Sequence, residues 1–280
     1  MKTQQQYRRF FSAFGYALFR NLFSPQEMAL LSTEFDECMG LASRSGASKQ
    51  RRLIRLLMDE DSPALGSLAI DRRLCEVSSI LLGRSTICVQ VAGTSHVGDT
   101  QWHSDNLSLP YKGVKFLMYL DALDARNGAL RVLPGSHRQA GRSDRLMCYA
   151  PLDSFGLTGS ELPAQVLHTN PGDVIAFAHP LWHASFNGRQ GRRMVEINYY
   201  ADPRNPMEER AFYAQMQMNH RAAREAGVRM YPLSWRASEH SEQSRWIHRL
   251  AELGVLDPPS TKISRGRKVD MQPSPPKPPL

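Results

Sequence analysis

Ile87-Cys88-Val89-Gln90-Val91 opens the stretch whose reading decides the fold. Four more apolar or β-branched runs follow it: Val114 to Leu120, Ala129 to Leu133, Val174 to Phe177 and Met194 to Tyr200. Each is short, and most are bounded by Gly, Pro, Asn or Asp, the residues that turn a chain between strands. No helical pattern interleaves with them, so residues 85–200 predict an all-β sandwich or barrel. Outward from this core, Ser24-Pro25-Gln26-Glu27 predicts a helix start. Ser24 is the N-cap, Pro25 takes the first helical position and Glu27 completes a capping box. Met28, Leu30, Leu31 and Phe35 then recur at helical spacing. Phe14 to Phe19 reads as a short strand just before it, and Pro63 to Leu82 as one or two helices. Residues 206–226 and 240–253 read as helices again. The expected organisation is a single domain over 1–257: a helical region 1–84, a β core 85–200 and C-terminal helices 201–257. The tail 258–280 carries seven prolines and is expected to be extended or disordered.

The chain has 280 residues, of which 41% are hydrophobic and 22% charged, a balance that builds a core and excludes a disordered chain. The net charge of +8 invites a nucleic-acid or membrane-surface reading. Its distribution argues otherwise. The tail 258–280 holds five basic residues and one acidic, and residues 42–58 hold five basic residues and no acid. The rest is close to neutral. No run of about 18 apolar residues predicts a membrane span, and Met1 to Gln6 lacks the apolar stretch of a signal peptide. Cys38, Cys75, Cys88 and Cys148 are far apart, which suits a reducing cytoplasm rather than a disulfide or zinc framework.

Chemistry concentrates in Gln101-Trp102-His103-Ser104-Asp105. On a strand, residues two apart share a face, about 6.6 Å apart along the chain. A His nitrogen and a carboxylate oxygen can therefore converge on one ion. His183, after the turn and apolar run Gly172 to Phe177, is placed to supply a third ligand. Two His and one carboxylate leave positions open, as in non-haem Fe(II) oxygenases. His-x-Asp alone also describes a solvated loop histidine beside an acid. His179 and His183 form His-x-x-x-His, but Pro180 disfavours the helix that a zinc-protease motif needs. Arg192 and Arg193 open the last strand. One of them could grip a distal carboxylate with paired hydrogen bonds, and register decides which points inward. Trp102 and Trp182 either pack in a core or line the pocket. The basic stretch Lys49 to Arg55 reads as a solvated helix face or as the lip of a pocket for an acidic substrate.

Asn127-Gly128-Ala129-Leu130-Arg131-Val132-Leu133-Pro134-Gly135-Ser136-His137 resembles the signature of the phytanoyl-CoA dioxygenase family. Gly98 to Asp105 before it, and His183-Ala184-Ser185 with Arg193 after it, are similar to the same family. So is the opening Phe14 to Phe23, and the likeness spans about residues 7–200. The resemblance implies a mainly β fold with flanking helices, built on a double-stranded β-helix (jelly-roll) core. It implies Fe(II) held by His103, Asp105 and His183, with 2-oxoglutarate and O₂ as cosubstrates. Arg193 would anchor 2-oxoglutarate, Ser185 would bond the same carboxylate, and Gln90 would be a polar pocket residue. Related halogenases carry a small residue where Asp105 stands, so oxidation, most simply hydroxylation, is implied here. A small-molecule substrate of specialised metabolism would be oxidised with release of succinate and CO₂. A non-catalytic jelly-roll binding protein and a nucleic-acid-directed oxygenase are the alternatives. Neither membrane nor nucleic acid is expected as a partner.

Overall fold

The computed structural model describes residues 3–40, 52–58, 61–105, 111–139, 158–188, 191–225, 229–256 and 269–270. Two antiparallel sheets form its centre. The strands are β1 (Tyr16–Phe19), β2 (Arg52–Leu56), β3 (Thr86–His96), β4 (Thr100–His103), β5 (Gly113–Tyr119), β6 (Leu130–Val132), β7 (Gln165–Leu167), β8 (Val174–Ala178), β9 (His183–Ser185), β10 (Arg192–Ala201) and β11 (Val269–Asp270). The large sheet runs β1-β8-β5-β10-β3-β2-β11 and the small one β4-β9-β6-β7. From β3 to β10 the chain passes between the sheets at almost every connection, and only β6 and β7 are successive strands of one sheet. This is the jelly-roll path, flanked by helices.

The helices are α1 (Gln4–Phe14), α2 (Pro25–Met39), α3 (Pro63–Ser67), α4 (Arg72–Leu82), α5 (Pro206–Glu225) and α6 (Ser241–Glu252). The start of α2 is the one the sequence predicts, with Ser24 and Glu27 bonded reciprocally and Pro25 in the first turn. Thr3 and Gln6 form a second capping box on α1. The helices cover the outer face of the large sheet, where Phe35, Leu74, Val89, Val195, Ile197, Tyr199 and Trp246 share one buried core. A second cluster, with Leu117, Leu130, Val132 and Phe177, joins residues of the two sheets. The large sheet is thus covered on both sides, which is why β8 is buried at every residue and reads as an unbroken apolar run.

The basic stretch departs from expectation. Arg52–Leu56 is not a helix face but strand β2, paired antiparallel with β3. Leu53 and Leu57 enter the core, while Arg55 Nη1 donates to the Cys38 carbonyl at 3.0 Å. Its remaining part, Lys49 to Arg51, lies outside the described residues. So does the tail, apart from Val269 and Asp270, which pair with Ile54 and Leu53. Among the described residues no helix is long and apolar enough to cross a membrane.

The turn entering β8 depends on a glycine. Gly172 has φ of +99°, and a Cβ there would stand 2.5 Å from the Phe23 carbonyl oxygen. The Phe23 amide meanwhile donates to the Gly172 carbonyl. Gly172→Ala should therefore cost about 1–3 kcal/mol, read as a lower urea midpoint with an unchanged slope. Wild-type stability would mean that the turn relaxes freely.

Candidate active site

His103 ends β4 and His183 begins β9, and the two residues pair directly across the small sheet. Directly opposed residues share a face, so the imidazoles lie side by side, ring centroids 4.2 Å apart. Asp105 follows β4, and its backbone amide donates to the His179 carbonyl. That anchor turns the carboxylate back toward the rings. Asp105 Oδ1 stands 3.7 Å from His103 Nε2 and 3.8 Å from His183 Nε2. Ligand atoms of all three residues lie within 4.8 Å of one another.

The surroundings prepare these atoms as ligands. His103 Nδ1 is 2.8 Å from the Gln101 carbonyl, and His183 Nδ1 is 2.9 Å from the Leu181 carbonyl. A carbonyl only accepts, so each Nδ1 carries the proton and each Nε2 presents its lone pair to the shared space. Burial, helped by the nearby His103, pushes the His183 imidazole down to about 3, so it is neutral at ordinary pH. Burial alone would raise the Asp105 carboxyl. The Lys115 ammonium, with His183 and His103, outweighs it and holds the group well below the usual carboxylate range. Two imidazoles and one carboxylate are the donor set of a non-haem iron site with open positions, and these residues fit a divalent ion.

The triad opens onto a cavity of about 60 Å³ between the sheets. Leu117, Leu130, Phe177 and Met194 supply its apolar wall, and Arg192, Ser185, His96, Thr100, Lys115 and Glu196 its polar groups. A larger cleft of about 1140 Å³ lies between α4 and α6, but none of the triad lines it.

Strand β10 decides which arginine lines the cavity. Side chains alternate along it, and Arg192, Met194 and Glu196 line the cavity. Arg192 is 3% exposed. It donates to the carbonyls of Gly98 and Gly128, at 2.9 and 3.0 Å, and lies 3.1 Å from His96 Nδ1. Arg193, the expected anchor, faces the opposite side. Its guanidinium meets Asp121 at 2.7 Å, Asp36 at 2.9 Å and Ser32 Oγ at 2.9 Å, fastening α2 to the large sheet. The register is one residue from that expectation, and one residue reverses the face.

The other expected residues divide. Ser185 is buried in the cavity wall. Gln90 does not line the cavity: its Oε1 accepts from Asn198 Nδ2, and Asn198 Oδ1 faces His179 Nε2 at 3.0 Å. His179 therefore belongs to a buried polar chain beside the triad. Trp102 and Trp182 pack with Ala184 and Phe186, one residue out of phase with the ligands and so on the other face of the small sheet.

Sequence reasoning missed Lys115 and Glu196. Their signal was present: single charges inside the apolar strands Val114 to Tyr119 and Met194 to Tyr200. A charge in a strand buried on both faces needs a partner. Lys115 Nζ meets Asp105 Oδ2 at 2.8 Å and Glu196 Oε2 at 3.1 Å.

A family model described as phytanoyl-CoA dioxygenase matches residues 11–194. The chain is 26% identical over 203 residues to an ectoine dioxygenase of Sphingopyxis alaskensis; the match covers 61% of this chain and 66% of that protein, just under two thirds of its length. Among solved structures, the non-heme alpha ketoglutarate dependent epimerase SnoN from nogalamycin biosynthesis is similar with a TM-score of 0.59 at 15% identity, covering 71% of this chain and 83% of that one. The apoform of EctD from S. alaskensis gives 0.55 at 23% identity, over 72% and 77%. AviO1 from Streptomyces viridochromogenes Tue57 gives 0.57 at 18%, over 74% and 98%. At these identities the likeness to solved structures concerns the fold.

The ligand assignment separates His183 from its neighbour four residues earlier. His103→Ala and His183→Ala should each lose Co(II) affinity by more than the 10–100-fold typical of residues that only support a ligand. His179→Ala should stay within that range. Equal losses in all three, measured by titration of folded protein, would contradict the assignment.

Proposed function

The chain belongs to the phytanoyl-CoA dioxygenase family, and on that premise we propose that it is a non-haem Fe(II)/2-oxoglutarate-dependent oxygenase that hydroxylates an unactivated C–H bond of a small molecule. The products besides the oxidised substrate are succinate and CO₂. The observation that carries this reading is the convergence of His103, Asp105 and His183 within 4.8 Å. Iron, when bound, supplies the activation of O₂ that no side chain provides.

The residues of the chain bind, orient and exclude. His103 and His183 offer Nε2 atoms whose rings are fixed by their backbone acceptors. Arg192, rather than Arg193, takes the far carboxylate of 2-oxoglutarate. The support is its burial and its place on the cavity wall, where a guanidinium can give two parallel charge-assisted hydrogen bonds. Ser185, on the same wall, contributes a hydroxyl. Leu117, Phe177 and Met194 keep water from the reacting centre. Gln90 acts at one remove, through Asn198. The carboxylate of Asp105 favours oxidation over halogenation. The reading extends to an acidic substrate of specialised metabolism. Its support is the excess of basic residues at 42–58 in the sequence and the biosynthetic setting of the neighbour SnoN. Reversing the charge at Arg52 should then raise the substrate KM.

Three measurements test the centre. Fe(II) and 2-oxoglutarate added anaerobically should give a weak visible charge-transfer band; its absence in folded, metal-loaded protein counts against the whole reading. His103→Ala and Asp105→Ala should form no succinate. Arg192→Ala should raise the apparent 2-oxoglutarate KM about 10–100-fold, as for loss of a hydrogen-bonded charge. Arg193→Ala should leave that KM within about twofold and lower stability by about 1 kcal/mol, because its ion pairs are partly exposed. The reverse order would return the anchor to Arg193.

A further inference from the structure

The carboxylate of Asp105 is held at both oxygens, and the two are held differently. Oδ1 faces His103 Nε2 and His183 Nε2 at 3.7 and 3.8 Å. Oδ2 is turned away onto Lys115 Nζ at 2.8 Å. Lys115 comes from the middle of β5, across the cavity from β4, with its side chain 13% exposed. It is braced in turn. Glu196 of β10 accepts from its ammonium at 3.1 Å through Oε2, and Thr94 Oγ1 of β3 donates to Glu196 Oε1 at 3.1 Å. Three neighbouring strands of the large sheet thus aim one ammonium at one oxygen of the small sheet's ligand.

We propose that Lys115, braced by Glu196, is a positioning residue that restricts Asp105 to one ligating oxygen, so that the metal keeps its remaining positions for small molecules. The inference rests on the iron reading above. A free carboxylate beside a divalent ion can bind through both oxygens and occupy one more position. Here the ammonium already engages Oδ2. Glu196 also matters to the balance of charge: without it, Lys115 would cancel the one negative ligand and weaken the attraction for a cation. With Glu196 the group of three carries a net negative charge.

The test is an anaerobic Co(II) titration of the full chain, followed by the visible absorption of the bound ion, whose shape and intensity report coordination number. Circular dichroism checks that each variant is folded. Lys115→Met keeps the length and removes the charge; it should leave Co(II) binding as tight or tighter, since a positive charge leaves and Oδ2 is freed, and change the band shape to that of one more coordinated position. Lys115→Arg, which keeps a donor for Oδ2, should restore the wild-type spectrum. A wild-type spectrum in folded Lys115→Met would overturn the proposal, whatever its affinity. Should Lys115→Met not fold, Glu196→Gln decides: it should weaken binding and perturb the spectrum, and wild-type behaviour would overturn the proposal equally. Failure of the unmodified chain to bind Co(II) would remove the iron reading itself, a result distinct from any behaviour of the Lys115 variants.

Discussion

The backbone pairing of His103 with His183 is the constraint on which the rest of the centre depends. Two short antiparallel strands, β4 and β9, set two imidazoles side by side, and Asp105 turns back to join them because its amide is tied to the His179 carbonyl. A sheet presents alternate residues to opposite faces. Placing His103 and His183 inward therefore sends Trp102, Trp182, Ala184 and Phe186 to the other face, where they form their own apolar cluster. The same hydrogen-bond ladder thus builds the donor set and the packing that supports it.

Strand β10 applies the same rule to the large sheet with two chemistries. Its inner residues, Arg192, Met194 and Glu196, line the cavity. Its outer residues Val195, Ile197 and Tyr199 enter the helix-covered core, and Arg193 locks α2 in place through Asp36. Adjacent arginines consequently have unrelated duties. Buried charge is tolerated inside because each group meets a defined partner: Lys115 meets Asp105 and Glu196, and Arg192 meets backbone carbonyls. An unpaired charge in such a space would be costly.

Local chemistry made much of the fold legible. Ser24, Pro25 and Glu27 state a helix start within four residues, and the structure realises it with hydrogen bonds between those same residues. The apolar runs at 87–91, 114–120, 174–177 and 194–200 all became strands of the large sheet, because strands buried on both faces read as unbroken apolar segments. Strands β4, β7 and β9 were not legible. They are three or four residues long, and their pairing comes from distant segments. Strand β2 reads in the sequence as a charged helix face or a pocket lip because Arg52 and Arg55 outweigh Leu53 and Ile54, although Leu53 and Leu57 carry the packing.

The sequence by itself determined the capped start of α2 and the apolar strands of the β core, and it singled out His103, Asp105 and His183 through the family likeness of their motifs, since His-x-Asp alone also describes a loop. Tertiary structure alone decided the rest. It set the phase of β10, and with it which of Arg192 and Arg193 faces the cavity, because register comes from pairing with β3 and β5 and not from the strand's own residues. It brought Lys115 to Asp105 and Glu196, three charges from separate strands whose meeting no spacing along the chain encodes. Periodicity within an element is written locally; contact between elements follows from how the sheets close on one another.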